Sequence, residues 1–371
     1  MSLWCLNVNM MFIKNFICGE NEVMSKADDI LDRTKRGEPE AKKWKVIVGI
    51  VVGLVLAGGI FGVLFWFADV DEYLISSKDI LSLYHFYDTH QPEGDEVYFV
   101  GSSIVGCGMY TPLINTLLQE SGEDITTYNL KMSSDTPLQR ALQVSEIINL
   151  KPSLVIYGIS YRSVTSVQSY GDTVWNSENA ILIGDRVNLD SDITYLLSDD
   201  EICDLKSESD LMFNKRFFRS ALYNKLFGKN TGYLDYEYDP YGGENARVSL
   251  SSQTIKEIER DANNPEHNWR PIITNESTRH KDALIYNVKE LQDAGIPVIL
   301  VNMPLHPLVS DEITDDSRQN FYDLLDETGA KWYDYEFLLD GEYFRDTHHM
   351  TFDGALVFAP VMADLIILEM S

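Results

Sequence analysis

The chain has 371 residues, with 30 Lys and Arg against 58 Asp and Glu, which gives a formal charge of −28. This length suits one large domain or two ordinary ones, and 44% hydrophobic residues exclude a wholly disordered chain. The acidic excess argues against a nucleic-acid partner, because phosphate binding needs clustered lysine and arginine. The four cysteines form no Cys-x-x-Cys pair, so we expect neither a disulfide scaffold nor a metal, and no cofactor motif is present.

An uncharged apolar segment runs from Val46 to Ala68. About 20 apolar residues in a helix cross the hydrocarbon core of a bilayer. Lysine and arginine cluster before this segment and acidic residues follow it, which places the N-terminus in the cytoplasm. The segment is long for a signal peptide and no small-residue cleavage site follows it. We therefore expect an uncleaved, single-pass signal anchor in the cell membrane.

The anchor defines the expected domain organisation. We predict a cytoplasmic tail at 1–45, a transmembrane helix at 46–68, a connector at 69–94 and an extracytoplasmic domain at 95–371. The first 23 residues fit the tail poorly, which suggests that translation starts at Met24. Cys107 and Cys203 would then be the remaining cysteines, both outside the cell, where a disulfide could form.

Strand and helix patterns alternate through the outer domain. Strands are predicted at 96–103, 125–130, 153–160, 296–304 and 331–336. Helices are predicted at 111–122, 136–150, 278–295, 317–330 and 351–370, the last kinked or delayed by Pro360. The continuous apolar character of 153–160 is typical of a parallel strand that is covered on both faces. This alternation predicts a three-layer α/β/α sandwich with a mainly parallel sheet.

Residues 162–278 interrupt the alternation with an acidic stretch, a basic amphipathic stretch and a tyrosine-rich stretch. We interpret them as an insertion over the carboxyl ends of the strands, where ligands bind in open α/β sheets. The insertion is then either a lid or substrate wall, or an added subdomain without a ligand role.

Two short motifs could carry chemistry. Gly101-Ser102-Ser103 ends the first strand, where small residues leave a hydroxyl exposed at a sharp turn. Asp346 stands three residues before His349, so its carboxylate can hold the imidazole N–H and fix the tautomer that an activated serine requires. Each motif alone also fits a plain turn or a helix cap.

Taken together, the motifs resemble the SGNH (GDSL-like) hydrolase and acyltransferase superfamily, over about 95–161 and 279–370. The resemblance implies an SGNH or flavodoxin-like fold with Ser103 as nucleophile, His349 as base and Asp346 as the acid that orients the base. The backbone N–H of Ser103 would then bind the oxyanion.

Two other family blocks depart from the usual pattern. Lys131 and Ser134 stand where the family often has glycine, and Ser160 and Tyr161 replace the Asn and Asp of the third block. The missing Asn is normally an oxyanion donor, and losing one such donor costs about 3 kcal/mol of transition-state stabilisation. The site is therefore either remodelled or inactive. Candidate oxyanion or substrate contacts are Ser102, Ser134, Ser160 and His306.

The single anchor and outer domain resemble the membrane-anchored branch of this superfamily, which includes the D-alanyl lipoteichoic acid transfer protein and the alginate O-acetylation proteins. That resemblance implies a serine esterase or O-acyltransferase that acts on O-acyl groups of a cell-surface glycan, with a membrane-bound O-acyltransferase as a partner. The alternatives are a catalytically inactive glycan-binding or assembly module and, third, a purely structural surface protein.

Overall fold

The computed structural model describes residues 40–66, 78–133, 135–164, 192–208, 256–260 and 278–371, and the chain divides into two compact units, Met1–Asp69 and Val70–Ser371. The first unit contains helix α1 (Glu40–Trp66), whose side chains are described from Trp44 to Ile60 and are exposed. Among the described residues, no helix is both long and apolar enough to cross a membrane. The anchor predicted at 46–68 stays a prediction.

A five-stranded, fully parallel sheet forms the centre of the second unit, as the sequence predicted. Its strands are β1 (Asp95–Gly101), β2 (Ile125–Lys131), β3 (Leu154–Ile159), β4 (Val298–Asn302) and β5 (Lys331–Asp334). The order β2-β1-β3-β4-β5 is the flavodoxin-like order of doubly wound sheets. The strand order reverses between β1 and β3, so ligand binding is expected at the carboxyl ends of these two strands.

Ten helices of the described chain connect and flank the strands. They are α2 (Lys78–Thr89), α3 (Ser103–Gly108), α4 (Thr111–Glu120), α5 (Pro137–Ala141), α6 (Val144–Leu150), α7 (Asp199–Glu208), α8 (Arg279–Asp293), α9 (Pro307–Ser310), α10 (Asp315–Glu327) and α11 (Phe352–Met370). Short 3₁₀ helices occupy Tyr161–Val164, Asp192–Leu196 and Gly341–Tyr343, and residues 256–260 are helical. The helix predicted at 136–150 is two helices, α5 and α6, because the chain turns at Gln143, whose amide points inward to the Met132 sulfur.

Apolar side chains of the sheet point alternately to two cores. In β1, Tyr98 and Val100 face the core beneath α2, α5, α6, α8 and α10, whereas Val97 and Phe99 face the core beneath α3, α4 and α11. Side chains on both faces of the central strands β1, β3 and β4 are buried, which explains why these strands do not alternate between apolar and polar residues. The predicted three-layer α/β/α sandwich is therefore confirmed.

Parts of the predicted insertion are described, and they pack at the start of α8. Arg279 donates hydrogen bonds to the backbone carbonyl of Leu196 and to the carboxylate of Glu201. Most of 162–278 lies outside the described residues, so its role as a lid or substrate wall stays a prediction. Within the described residues Cys107 and Cys203 are not joined, so the disulfide considered from the sequence is not formed there.

Candidate functional site

The chain makes a sharp turn where β1 meets α3. Ser102 is the N-cap residue of α3, and its hydroxyl accepts a hydrogen bond from the backbone N–H of Ile104 at 3.4 Å. Ser103 is the first residue of α3, and the N–H groups in the first turn of a helix have no acceptor within that helix. The Ser103 side chain therefore stands at the carboxyl edge of the sheet, at the reversal point between β1 and β3.

Two glycines allow α3 to approach the sheet closely. Gly101 pairs with Gly158 of β3 and has φ +145°, a conformation that side-chain-bearing residues rarely adopt. A Cβ atom on Gly101 would lie 2.5 Å from the Gly158 carbonyl oxygen, and one on Gly158 would lie 2.3 Å from Cγ2 of Val105. The buried Val105 side chain of α3 therefore occupies the space above both glycines and fixes the height of Ser103 over the sheet.

A buried amide holds the same short helix from β2. Asn129 is fully buried, and its Nδ2 donates to the carbonyl oxygens of Val105 at 3.2 Å and Met109 at 2.8 Å. The carbonyl of Val105 also accepts the backbone N–H of Met109, so Asn129 is a second donor to it and ties the end of α3 to β2. Sequence reasoning did not single out Asn129, although an Asn within an otherwise buried strand is a signal for such a contact.

His349 and Asp346 lie in a tight turn before α11. The bridge between Phe344 and Met350 closes this turn, and the backbone N–H of Arg345 donates to the carbonyl oxygen of His349 at 2.9 Å. One oxygen of Asp346 accepts the backbone N–H of His349 at 2.7 Å and that of the preceding residue, His348, at 2.9 Å. The turn therefore fixes the carboxylate before it meets the imidazole.

The two motifs meet across the carboxyl edge of the sheet. The second oxygen of Asp346 lies 2.7 Å from Nδ1 of His349, and Nε2 of His349 lies 2.7 Å from Oγ of Ser103. Because a carboxylate only accepts, Nδ1 carries the ring proton, and Nε2 is the acceptor that faces the serine hydroxyl. The sheet order and this placement of both motifs match the expected family. The described residues therefore form a doubly wound parallel α/β fold in which Ser103, His349 and Asp346 meet as the resemblance to the SGNH superfamily predicted.

The groups around Asp346 favour its ionised form. Burial acts to raise the pKa of Asp346, but the hydrogen bond from His349, the His348 and His349 imidazoles and the backbone N–H of His348 outweigh it. The pKa of Asp346 is therefore far below its usual value. Burial, followed by the neighbouring His349 imidazole, lowers the pKa of His348 well below 6.5, so His348 is neutral at pH 7.

His348 lies beside the imidazole of His349. Its Nδ1 lies 3.0 Å from the Thr347 hydroxyl and 3.5 Å from Asp346, and the centre of its ring lies 3.9 Å from that of His349. Asp346, His348 and His349 offer ligand atoms within 4.8 Å of one another, which is close enough to hold a metal ion. A metal ion there would compete with the hydrogen bond between Asp346 and His349 on which the serine arrangement depends.

A small pocket that opens to solvent adjoins the Ser103–His349 contact. Ile104, Leu305 and Val309 form its apolar wall. Ser160, Tyr161, Arg162, Thr347 and His348 form its polar side. Ser160 is 1% exposed, and its Oγ makes no hydrogen bond within the described chain. A buried hydroxyl without a partner is costly, so a polar group of a ligand would satisfy it.

A buried carboxylate fixes the pocket wall at Tyr161. The Tyr161 hydroxyl donates to Glu336 at 2.5 Å, and Arg318 donates to both oxygens of Glu336 at 3.0 and 3.2 Å. Glu336 is fully buried, and its backbone carbonyl also accepts from Leu305 of the pocket wall. Sequence reasoning missed Glu336 and Arg318, because both belong to segments whose charges are typical of a solvated surface.

The remaining predicted contacts have different outcomes. Ser102 caps α3, as described above, and does not line the pocket. His306 caps α9, where its Nδ1 accepts the backbone N–H of Leu308 at 3.1 Å, and its ring packs against Phe344. Burial lowers the pKa of His306, although the nearby Asp346 acts to raise it. Ser134 lies outside the described residues, and Lys131 is fully buried at the end of β2.

A protein-family model matches residues 271–371, which include Asp346 and His349 but not Ser103. No curated protein matches the sequence. Among solved structures, TesA is 10% identical with a TM-score of 0.33, and the match covers 72% of this chain and 94% of TesA.

Two esterases give similar values. The psychrotrophic esterase EstA from Pseudoalteromonas sp. is 10% identical with a TM-score of 0.33, over 74% of this chain and 97% of EstA. A mutant of the esterase AlinE4 is 14% identical with a TM-score of 0.29, over 75% of this chain and 97% of AlinE4. TM-scores this low support no inference about the activity of this chain.

Proposed function

We propose that this protein is a membrane-anchored, extracytoplasmic serine esterase or O-acyltransferase that acts on O-acyl groups of a cell-surface glycan. The observation that carries the proposal is the continuous series of hydrogen bonds from Ser103 through His349 to Asp346, with both links at 2.7 Å. A nucleophile within hydrogen-bond reach of a base that a third group orients is the signature of nucleophilic catalysis.

The proposed reaction proceeds through an acyl-serine. Oγ of Ser103 attacks the ester carbonyl carbon while its proton passes to Nε2 of His349, and Asp346 stabilises the imidazolium that forms. The tetrahedral intermediate expels the alcohol, which takes the proton from His349. Water, or a hydroxyl group of the glycan, then gives its proton to His349 and accepts the acyl group from Ser103, and Oγ of Ser103 takes that proton back from His349 as it leaves.

The oxyanion needs hydrogen-bond donors on the other side of the carbonyl carbon. The backbone N–H of Ser103 is one candidate, because it begins α3. Ser160 is the second candidate, because its hydroxyl is buried, lacks a partner and lines the adjoining pocket. The side chain of Ser160 is shorter than that of the Asn which the resembled family has at this position. This difference favours the second candidate function, an inactive SGNH-type module that binds or assembles glycan.

The proposed location rests on the first unit of the chain. Apolar side chains of α1, among them Val51, Leu54 and Leu56, are about half exposed or more. A contiguous exposed apolar surface marks an interaction with a membrane or a partner protein. Together with the basic residues before 46–68, this surface supports an anchor that keeps the N-terminus in the cytoplasm. A membrane-bound O-acyltransferase in the same membrane is the proposed acyl donor.

Labelling with a fluorophosphonate probe tests the activity and the location. We expect the full chain to react in detergent, Ser103→Ala not to react, and His349→Ala to react at least 100-fold more slowly. Ser121→Ala is the matched control, because its exposed hydroxyl only caps the end of α4. A membrane-impermeant probe on intact cells should label the same serine. Absence of labelling in a folded wild-type chain would favour the inactive module.

A further inference from the structure

The pocket beside Ser103 has a charge opposite to that of the chain. The chain carries a formal charge of −28, yet none of the described residues that line the pocket is acidic. Among these described residues Arg162 is the one lysine or arginine, and its positive charge acts on the His348 imidazole, which also lines the pocket. The described lining therefore presents a single cation to a ligand.

The pocket lies close enough to the reacting atoms to hold part of the substrate. Ile104 follows Ser103 directly and His348 precedes His349 directly, and both line the pocket. The imidazole rings of His348 and His349 lie 3.9 Å apart. A substituent on either side of an ester carbonyl at Ser103 could therefore enter this pocket.

The wall that carries Arg162 is held firmly. Arg162 belongs to the 3₁₀ helix Tyr161–Val164, and the hydroxyl of Tyr161 donates to the buried Glu336. The backbone N–H of Ser160 is bound by the hydroxyl of Ser163 at 3.3 Å. Ser160 and Arg162 both line this pocket, so an ester oxygen near the Ser160 hydroxyl places the adjoining substituent in the same pocket as Arg162. A guanidinium binds planar carboxylates and phosphates through paired, charge-assisted hydrogen bonds.

We propose that Arg162 selects substrates that carry a carboxylate or phosphate group close to the ester bond, with this group held in the pocket formed by Ile104, Ser160, Tyr161, Arg162 and His348. The inference rests on the proposed esterase or acyltransferase activity. The anion belongs either to the acyl group, as in a dicarboxylic acid hemiester, or to the alcohol, as in a phosphorylated polyol of a surface polymer.

Two pairs of esters test the proposal on the full chain in detergent. In the acyl pair, p-nitrophenyl hemisuccinate is compared with p-nitrophenyl butyrate, which has the same chain length without the charge. In the alcohol pair, the acetate ester of glycerol 3-phosphate is compared with glycerol monoacetate. The rate of Ser103→Ala is subtracted as background. We expect kcat/KM to favour the anionic ester by about 10- to 100-fold in one pair, which identifies the source of the anion.

Variants assign this preference to one side chain. Arg162→Gln should abolish the preference while the neutral ester is still hydrolysed, and Arg162→Lys should retain part of it. Lys289→Gln is the matched control, because it removes one exposed positive charge from α8. No preference in either pair, or a preference that survives Arg162→Gln, would overturn the proposal.

A binding measurement separates this inference from the proposed function. If no ester is hydrolysed and no probe reacts, monomethyl succinate and glycerol 3-phosphate are titrated against the full chain by calorimetry. Binding that Arg162→Gln weakens at least tenfold would support the anion site in a chain without esterase activity. Absence of binding would refute the site together with the activity.

Discussion

Substitution of Gly158 by alanine should displace the nucleophile without touching it. The added Cβ would lie 2.3 Å from Cγ2 of Val105, whereas two carbon atoms in contact need about 3.8 Å. If α3 takes up the whole difference, it moves about 1.5 Å away from the sheet. Ser103 begins that helix, and its 2.7 Å contact with His349 cannot survive such a shift. A misplacement of about 1 Å costs roughly 100-fold in rate.

The stability of the same variant should fall only moderately. Overpacking of a buried site costs about 1–3 kcal/mol, and replacing a strand glycine by alanine regains about 0.5–1 kcal/mol. We therefore expect a net loss of about 1–2 kcal/mol in the free energy of unfolding. Urea denaturation measures the stability, and the rate of fluorophosphonate labelling at Ser103 measures the displacement. Gly158→Ala should thus lose far more reactivity than stability.

A second substitution distinguishes displacement from general damage. Val105→Ala removes the methyl group that Gly158→Ala would strike, and the next contact is the flexible Met303 side chain at 3.0 Å. The double variant should therefore label faster than Gly158→Ala, although the lost burial of Val105 costs it about 2 kcal/mol of stability. Gly101→Ala should not be rescued by Val105→Ala, because its Cβ also meets the Gly158 carbonyl oxygen at 2.5 Å. Unchanged labelling of Gly158→Ala, or no rescue in the double variant, would refute this account.

The sequence predicted the sheet well because its central strands β1, β3 and β4 are buried on both faces. The segments 96–103 and 153–160 contain long apolar runs bounded by turn residues, and few other structures tolerate such runs. Helix α3 was not predicted, since its six residues include two glycines and have no helical period. It forms where Gly101 and Gly158 leave room for Val105, which is a tertiary contact that no local pattern contains.

The site was predictable to the extent that it lies within short motifs. Asp346 and His349 are three residues apart, so the turn that joins them can be inferred locally, and Ser103 follows from the glycine turn of β1. Glu336 could not be inferred in this way, because its burial depends on Tyr161 and on Arg318, which lie far from it in sequence. Its segment resembles an exposed strand end until those partners are known.

Three further substitutions probe the groups that hold the site. Glu336→Gln removes the buried carboxylate partner of Arg318 and leaves it the exposed carboxylate of Asp315 at 3.5 Å, so the free energy of unfolding should fall by about 3 kcal/mol. Tyr161→Phe loses one hydrogen bond and should cost about 1 kcal/mol, and urea denaturation measures both variants. Equal costs for the two variants would contradict the ion pair. Asp346→Asn should slow labelling of Ser103 by roughly 10³- to 10⁴-fold, because an amide can donate to Nδ1 of His349 and so favour the wrong tautomer.

The stability of Asp346→Asn should depend on pH in a definite direction. Native contacts hold the pKa of Asp346 below the value of about 3.9 found in unfolded chains, so the ionised form stabilises the native state. This contribution is complete above about pH 4 and is lost as the pH falls through the native pKa. At pH 7 the free energy of unfolding of the wild type should be about 1 kcal/mol larger than that of the variant. The difference is this small because the carboxylate is 41% exposed and solvent screens its charge, and it should shrink at pH 3. An equal difference in urea denaturation at both pH values would show that packing, and not charge, is what Asp346 contributes.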